Sequence, residues 1–255
     1  MFLLWRSQRT VVPKVRQRRS PTHLLIVLGS GGHTAEMISI LRRLPLDPML
    51  YTYRTYVVSS GDSFSTGKAL EFEEQLARTW RQKTLKIGSY NVITIPRARR
   101  VHQSFLTAPV STIQSLLSCL QVLRGTHAAQ KSSSSIQPGY PDLILTNGPA
   151  TAFCVILAAK ILRLWSAIFS PLAWLYAFSQ PSGLPVRQEG LPKPLYPLRT
   201  VFIESWARVT TFSLSGKLLL PLADRFLVQW PNLEGKRAWL GMRKTEYVGS
   251  LVEWN

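Results

Sequence analysis

The chain has 255 residues, 45% of them hydrophobic, which is enough for one good hydrophobic core and too much for a disordered protein. Its 31 basic residues outnumber 13 acidic ones, and the formal net charge of +18 predicts attraction to nucleic acid, an anionic membrane or a phosphorylated substrate. The two cysteines, Cys119 and Cys154, stand in apolar runs and make neither a disulfide framework nor a metal-binding pattern, so a reducing cytosolic environment is expected.

Residues 1–22 are predicted to be a basic leader and a possible membrane anchor. An apolar start, Met1 to Trp5, precedes a cluster of arginine and lysine residues. The apolar start is too short to span a bilayer or to form the core of a signal peptide. The leader is therefore expected either to lie against anionic headgroups or to be a disordered basic segment.

From residue 23 onward the sequence alternates strand-like and helix-like segments. Aliphatic runs typical of buried strands lie at 23–28, 54–59, 91–95, 142–146, 200–203 and 224–229, and helical patterns lie at 34–44, 67–80 and 104–123. This alternation predicts an α/β fold, a Rossmann-like parallel sheet with helices on both faces. One domain is expected over 23–255, with a flexible insertion at 125–140 and a proline-containing insertion at 165–199.

The segment 152–178 is unusually apolar, and Lys160 and Arg163 are its only charged residues. The two cations are three residues apart and share one helix face, so they could extend to lipid headgroups. We expect a helix whose far end enters the membrane interface. The alternative is an ordinary crossover helix of the sheet followed by an apolar loop.

The first strand ends in a glycine-rich junction, Gly29 to His33, which opens a helix at Thr34. Backbone N–H groups and the positive end of the helix dipole favour a phosphate or diphosphate there. The dinucleotide fingerprint is not met, because Thr34 stands where glycine or alanine is required. A tight turn that binds nothing is the alternative. His33 could act as a general base, donate to phosphate, or be purely structural.

Polar residues also follow three other predicted strands. They are Arg97 and Arg99, Asn147 and Gly148, and Glu204 and Ser205. The carboxyl ends of parallel strands meet at one edge, so these loops are expected to share a crevice with the glycine-rich junction. Arginine matches phosphate oxygens, and the Asn147 amide could bind a sugar or phosphate. A solvated basic loop and a helix cap are the respective alternatives.

Four ordered motifs carry a resemblance to a known family. They are LGSGGHTAEM at 28–37, PDLILTNGP at 141–149, ESWAR at 204–208 and ADRFLVQWP at 223–231. Over residues 23–252 the chain resembles the anchor subunit of the eukaryotic UDP-N-acetylglucosamine transferase of asparagine-linked glycosylation. It is also similar to the N-terminal domain of the bacterial lipid-linked muramyl transferase.

The resemblance implies the N-terminal half of a GT-B glycosyltransferase. A separate donor-binding catalytic subunit would hold UDP-N-acetylglucosamine, and the heterodimer would extend dolichyl-diphosphate-N-acetylglucosamine on the cytosolic face of the endoplasmic reticulum membrane or the continuous nuclear envelope. The chain ends 25 residues after Trp230, too few for a second domain, so it is expected to be inactive alone. The family usually begins with a transmembrane helix, which the leader does not resemble.

Taken together with this resemblance, the chemistry of the candidate residues suggests a role for each. His33 is the expected catalytic base, and Glu204 and Ser205 would line the crevice. The acceptor diphosphate would be bound by Gly31, Gly32, Thr34, Arg97, Arg99, Asn147 and Gly148. The tail residues Tyr247, Val248, Leu251 and Val252 would dock on the partner. No cofactor or metal is predicted.

Two other functions fit the sequence less well. A non-catalytic scaffold could recruit a fully competent partner to the membrane. A nucleic-acid-binding protein would explain the charge, but the basic residues cluster in the leader and at strand ends and not along a helix with aromatic residues between them. No nucleic acid is therefore expected as a partner.

Overall fold

The computed structural model describes residues 22–82, 88–99, 103, 108–131, 139–148, 150–178 and 198–252, and only the backbone of 167–178. Residues 1–21 of the predicted leader, the serine run at 132–135 and residues 179–197 of the proline-containing insertion lie outside the described residues.

Seven strands form one parallel sheet. They are β1 (His23–Val27), β2 (Tyr53–Ser59), β3 (Ser89–Ile95), β4 (Leu143–Asn147), β5 (Arg199–Ile203), β6 (Arg225–Val228) and β7 (Glu246–Tyr247). Their order across the sheet is β3-β2-β1-β4-β5-β6-β7, and every neighbouring pair is parallel. The Rossmann-like prediction is confirmed. Sequence analysis missed only the short strand β7 among these seven.

The helices connect successive strands. They are α1 (Gly32–Arg43), α2 (Ser63–Gln82), α3 (Ala108–Arg124), α4 (Ala128–Lys131), α5 (Ala150–Phe178) and α6 (Leu214–Leu219), with a 3-10 turn at Pro231–Leu233. Helix α4 lies in the stretch predicted to be flexible, where Gln130 is buried and donates to the carbonyl of Val122. That part of the stretch is therefore held against α3.

Helices cover both faces of the sheet because the strand side chains alternate between them. Leu25 and Val27 pack in a buried cluster with side chains of α3 and α5. Leu24 and Ile26 pack in a second cluster with side chains of α1 and α2. Both sets are at most 2% exposed, so the central strand β1 is covered on its two sides. This burial explains its unbroken aliphatic sequence.

The strand order places a topological switch point between β1 and β4. After β3 the chain returns to the centre of the sheet, and strands are then added on the other side of β1. The connections that leave β1 and β4 therefore diverge, and a crevice opens outside the carboxyl ends of these strands. Ligands of open parallel sheets bind at such a point.

The prediction that Lys160 and Arg163 reach lipid headgroups is wrong. They are 1% and 7% exposed, and their cations bind the carboxylate of Asp224 at 2.7 Å and 2.6 Å. Burial raises the pKa of Asp224, but the two cations lower it more and hold it below its ordinary value. This face of α5 therefore attaches the helix to the loop before β6.

Helix α5 spans 29 residues. Over the described ranges, no helix combines the length and the apolar character that crossing a bilayer requires.

Candidate functional site

A cavity of about 900 Å³ opens at the carboxyl ends of the central strands. Loops that follow β1, β3, β4 and β5 all line it, together with the N-terminal residues of α5 and α6. The shared crevice that parallel topology predicted is therefore present. Its lining includes seven of the candidate residues that the sequence predicted: His33, Arg97, Arg99, Asn147, Gly148, Glu204 and Ser205.

His33 stands on the first turn of α1 between two glycines. A Cβ atom on Gly29 would lie 2.6 Å from the His33 Cβ, and one on Gly148 would lie 3.0 Å from its Cγ. Gly148 also has a φ of 87°, which disfavours other residues. The two glycines therefore let the loops after β1 and β4 close on the imidazole ring. The His33 side chain is 32% exposed, while its Nδ1 atom is buried without a hydrogen-bond partner.

Asn147, the last residue of β4, lines the cavity and is 1% exposed. Both of its side-chain polar atoms, Oδ1 and Nδ2, are buried without a hydrogen-bond partner. Buried polar groups are nearly always paired, so an amide with neither end bonded requires an explanation. Asn147 and His33 are neighbours across Gly148, and between them they offer three unpaired polar atoms.

Three arginines line the cavity: Arg97, Arg99 and Arg208. Arg97 is partly committed to the loop after β2, since its Nε donates to the Ser60 carbonyl at 2.7 Å and its Nη2 to the Gly61 carbonyl at 3.3 Å. Arg99 and Arg208 are exposed. Arg208 is part of the ESWAR motif, but sequence analysis assigned it no role. The three guanidinium groups make the cavity attractive to an anion.

Not every residue of the glycine-rich junction is available to bind a ligand, as was predicted for it. Gly31 and Gly32 are exposed and adjoin lining residues, but the Thr34 hydroxyl is buried and donates to the carbonyl of Gly29, with Ser65 beside it. The backbone N–H groups of His33 and Thr34 bond to carbonyls of the same turn. Thr34 therefore shapes the turn, and its hydroxyl is not available to a ligand. At the N-terminus of α1, Gly31 provides no side-chain cap.

The Glu36 side chain, on helix α1, connects that helix to the loop after β5. Sequence analysis missed this role. Its Oε1 accepts from the Trp206 N–H at 2.6 Å and from the Gln229 amide at 2.7 Å, and its Oε2 accepts from the Ser205 hydroxyl at 3.1 Å. Burial raises the pKa of Glu36, but these donors and the nearby His33 lower it below its ordinary value. The His33 Nδ1 is 3.8 Å away, too far for a good hydrogen bond.

The Glu204 carboxyl lines the cavity and also holds the start of α6. It accepts from the backbone N–H groups of Ser205 at 3.2 Å and Ser213 at 3.3 Å. Burial raises its pKa above the ordinary value, although these hydrogen bonds oppose the shift. Ser213 caps α6, since its hydroxyl accepts from the Gly216 N–H at 2.9 Å.

The four tail residues divide into two pairs. Tyr247 and Val248 are 43% and 38% exposed, so their side chains are free to meet another surface. Val252 is 5% exposed, and Leu251 packs against the cluster beneath α1 and α2. The Leu251 N–H also donates to the Gln229 side chain at 3.0 Å. Leu251 and Val252 therefore belong to this chain's own packing.

The site can bind an anionic ligand that also offers hydrogen-bonding groups. The helix N-termini of α1 and α5 and three arginines favour negative charge, while Asn147 and His33 supply unpaired donors and acceptors. Among the described residues, no three His, Cys, Asp or Glu side chains are grouped so that they could hold a metal ion. Fold and cavity thus define a Rossmann-like protein with an anion-attracting ligand site at its switch point.

Comparison with known proteins identifies the family. The model of the family described as "Oligosaccharide biosynthesis protein Alg14 like" matches residues 24–251, and the chain belongs to this family. The resemblance inferred from the four ordered motifs is confirmed.

Two curated relatives are named UDP-N-acetylglucosamine transferase subunit Alg14. The protein of Aspergillus fumigatus is 55% identical over 85% of this chain and 100% of its own length. The mouse protein is 33% identical over 99% of this chain and 94% of its own. A crystal structure of UDP-N-acetylglucosamine 2-epimerase is similar with a TM-score of 0.42 and 12% identity, over 84% of this chain and 43% of that one, a likeness too distant to bear on activity.

Proposed function

We propose that this chain is the acceptor-binding subunit of a two-chain UDP-N-acetylglucosamine transferase. It would bind dolichyl-diphosphate-N-acetylglucosamine, while a donor-binding catalytic partner brings UDP-N-acetylglucosamine. The second N-acetylglucosamine of the N-glycan precursor would be added at their junction, with this chain as the N-terminal half of a GT-B enzyme. The word "subunit" in the names of the relatives supports the need for a partner.

The observation that carries this proposal is the cavity at the switch point. Cations and helix N-termini favour the binding of a diphosphate, and unpaired polar groups favour the binding of a sugar. This one cavity provides both. Its volume of about 900 Å³ suits a disaccharide-sized headgroup better than a single ion. Gly31, Gly32, Arg97, Arg99 and Gly148 remain the proposed diphosphate-binding set.

His33 is the proposed general base. Its ring would take the proton of the acceptor 4-hydroxyl as that oxygen forms a bond to the anomeric carbon of the donor and the bond from that carbon to UDP breaks. A single displacement of this kind inverts the anomeric configuration. Among the described lining residues, Glu204 is the only carboxylate; its Oε1 accepts from the Ser205 N–H and its Oε2 from Ser213 at the start of α6. A covalent glycosyl intermediate is therefore not part of the proposal.

A lipid-borne acceptor requires the cavity to lie beside a membrane, and helix α3 offers a suitable surface. Val110, Ile113 and Leu117 are 61%, 57% and 54% exposed and are spaced by three and four residues, so they form one apolar stripe. Thr112 of the same helix lines the cavity. We propose that this stripe contacts the cytosolic face of the endoplasmic reticulum membrane, together with the basic leader.

The partner is proposed to dock beside Tyr247 and Val248, whose side chains are exposed at the end of the edge strand β7. In that position a donor-binding domain would face the carboxyl end of the sheet. Leu251 and Val252 are not proposed to contact the partner directly, because both already pack within this chain. Their packing would support the segment that carries Tyr247 and Val248.

Co-expression with a candidate donor-binding subunit tests the proposed function. Transfer from UDP-N-acetylglucosamine to a lipid-linked N-acetylglucosamine diphosphate is measured with the partner alone, with both chains, and with the variants His33→Ala and Gly31→Asp. The proposal expects transfer only with both chains and a strong loss in both variants while association persists. Unchanged turnover with normal association would instead make this chain a recruitment scaffold.

A further inference from the structure

We infer that Asn147 binds the acceptor sugar through two adjacent hydroxyl groups, and is not part of the diphosphate site. The inference rests on the proposed function and makes it more specific. By that function the acceptor hydroxyl that reacts is the 4-hydroxyl, and its neighbour on the ring is the 3-hydroxyl. Asn147 would therefore read the reacting edge of the sugar.

The first argument is chemical complementarity. Asn147 carries both a donor, Nδ2, and an acceptor, Oδ1, and neither has a partner within the described chain. Phosphate oxygens only accept hydrogen bonds at neutral pH, so a diphosphate could satisfy Nδ2 but would leave Oδ1 facing negative charge. A pair of neighbouring hydroxyls can accept from Nδ2 and donate to Oδ1 at once. The unpaired amide therefore matches a sugar edge.

The second argument is position. Asn147 lines the cavity and is 1% exposed, so a group that bonds to its amide would be largely removed from water. The exposed cations Arg99 and Arg208 are nearer to solvent. Charged phosphates are best placed beside those arginines, and the less strongly hydrated sugar hydroxyls beside the amide.

The third argument is the relation to His33. The ring of His33 lies against Gly148, the residue after Asn147, and its own Nδ1 is unpaired. A sugar held by Asn147 through its 3- and 4-hydroxyls would present the 4-hydroxyl beside the imidazole. Asn147 would thus orient the nucleophilic 4-hydroxyl toward His33. In this way the binding energy of the sugar would be used to position the reacting groups.

The two Asn147 hydrogen bonds predict a measurable preference. A site that is built to bond a hydroxyl rejects an analogue without it, because buried polar groups are then left unpaired. The wild-type complex should use an acceptor without the 3-hydroxyl about 10- to 100-fold less efficiently, by kcat/KM. In Asn147→Ala that preference should fall to about 2-fold or less, since the amide that senses the hydroxyl is gone.

The experiment compares the complete two-chain complex carrying wild-type, Asn147→Ala or Asn91→Ala forms of this chain. Asn91 is a matched control, since it is a buried asparagine on β3 that does not line the cavity. Each complex is given short-chain lipid diphosphates carrying N-acetylglucosamine or its 3-deoxy analogue. Asn91→Ala should keep the wild-type preference. Because the Asn147 side chain forms no hydrogen bond within the described chain, its truncation should leave the thermal midpoint nearly unchanged.

Binding of a sugar-free lipid diphosphate provides a readout that needs no turnover. Its affinity should be unaffected in Asn147→Ala and reduced in Arg99→Ala. An equal loss for the sugar-free and sugar-bearing lipids in Asn147→Ala would overturn the inference and return Asn147 to the diphosphate site. An unchanged 3-hydroxyl preference in Asn147→Ala would also overturn it. Failure of the wild-type complex to extend the normal acceptor would contradict the proposed function itself.

Discussion

Replacing Gly29 with alanine perturbs His33, the proposed general base, without removing any polar group. The new Cβ would lie 2.6 Å from the Cβ of His33, about 1 Å inside ordinary carbon–carbon contact. Since the His33 Cβ is attached to the backbone of α1, the loop and the helix start must separate by a similar amount. Such overpacking costs about 1–3 kcal/mol of stability. A displacement of about 1 Å at a reacting group costs about 100-fold in rate, or about 2.7 kcal/mol.

Transfer by the two-chain complex is the assay, with kcat/KM for the lipid acceptor measured beside the thermal midpoint. Gly67→Ala is the matched control, because Gly67 is exposed on α2 and its added Cβ would meet open space. The control should keep full activity and gain up to about 1 kcal/mol of stability from better helix propensity. If a folded Gly29→Ala complex were as active as the Gly67→Ala complex, the close junction around His33 would have no part in the reaction.

Three further predictions concern packing and charge in this chain. Glu36→Ala should lower the free energy of unfolding in urea by about 2–4 kcal/mol, because buried donors lose their acceptor. The pKa of Glu36 in the folded state is below its ordinary value. The ionised carboxylate therefore stabilises the fold fully at a pH above the ordinary pKa, and this stabilisation is lost as the pH falls toward the folded-state pKa. Glu36→Gln should consequently lose less stability in acid than the wild type does. Asp224→Ala should cost about 3–5 kcal/mol by removing the buried carboxylate that Lys160 and Arg163 share, whereas Lys160→Met should cost less because Arg163 still pairs. Burial raises the pKa of the Cys119 thiol, so alkylation at neutral pH should follow global unfolding, and rapid alkylation of the native protein would contradict the packing beneath α3.

Local sequence patterns were enough to predict six of the seven strands of the sheet. Strands buried on both faces need continuous aliphatic runs, and the glycines after β1 mark a sharp strand-to-helix turn, so these elements could be read from a few neighbouring residues. Parallel topology then required the strand-end loops to meet at one edge. These features depend on interactions within a short stretch of chain.

The features that could not be predicted depend on residues far apart in the sequence. Lys160 and Arg163 on an apolar helix resemble a membrane-facing pair until Asp224, more than 60 positions away, is placed beneath them. Glu36 similarly bonds to residues 169 to 193 positions distant. The two-residue strand β7 is too short for any periodic signal. Only the three-dimensional arrangement reveals these partners.

The exposure of the apolar stripe on α3 could not be predicted from the sequence either. Its spacing is an ordinary amphipathic pattern, and the sequence alone predicts a helix there without showing which of its faces is exposed. In the structure its buried face is formed by residues such as Cys119 and Val122, while Val110 and Ile113 remain exposed. A helix that is apolar on two sides can cover a sheet and still contact a second apolar phase.

Photo-crosslinking of a lipid-linked N-acetylglucosamine diphosphate to the two-chain complex, without UDP-N-acetylglucosamine, tests most directly which chain holds the acceptor. The label is placed on the sugar, and the modified peptides are identified by mass spectrometry. Adducts should form on this chain in peptides that contain His33 or Asn147, and excess unlabelled acceptor should compete them away. Adducts confined to the donor-binding partner, with none on this chain, would contradict the assignment of the acceptor site.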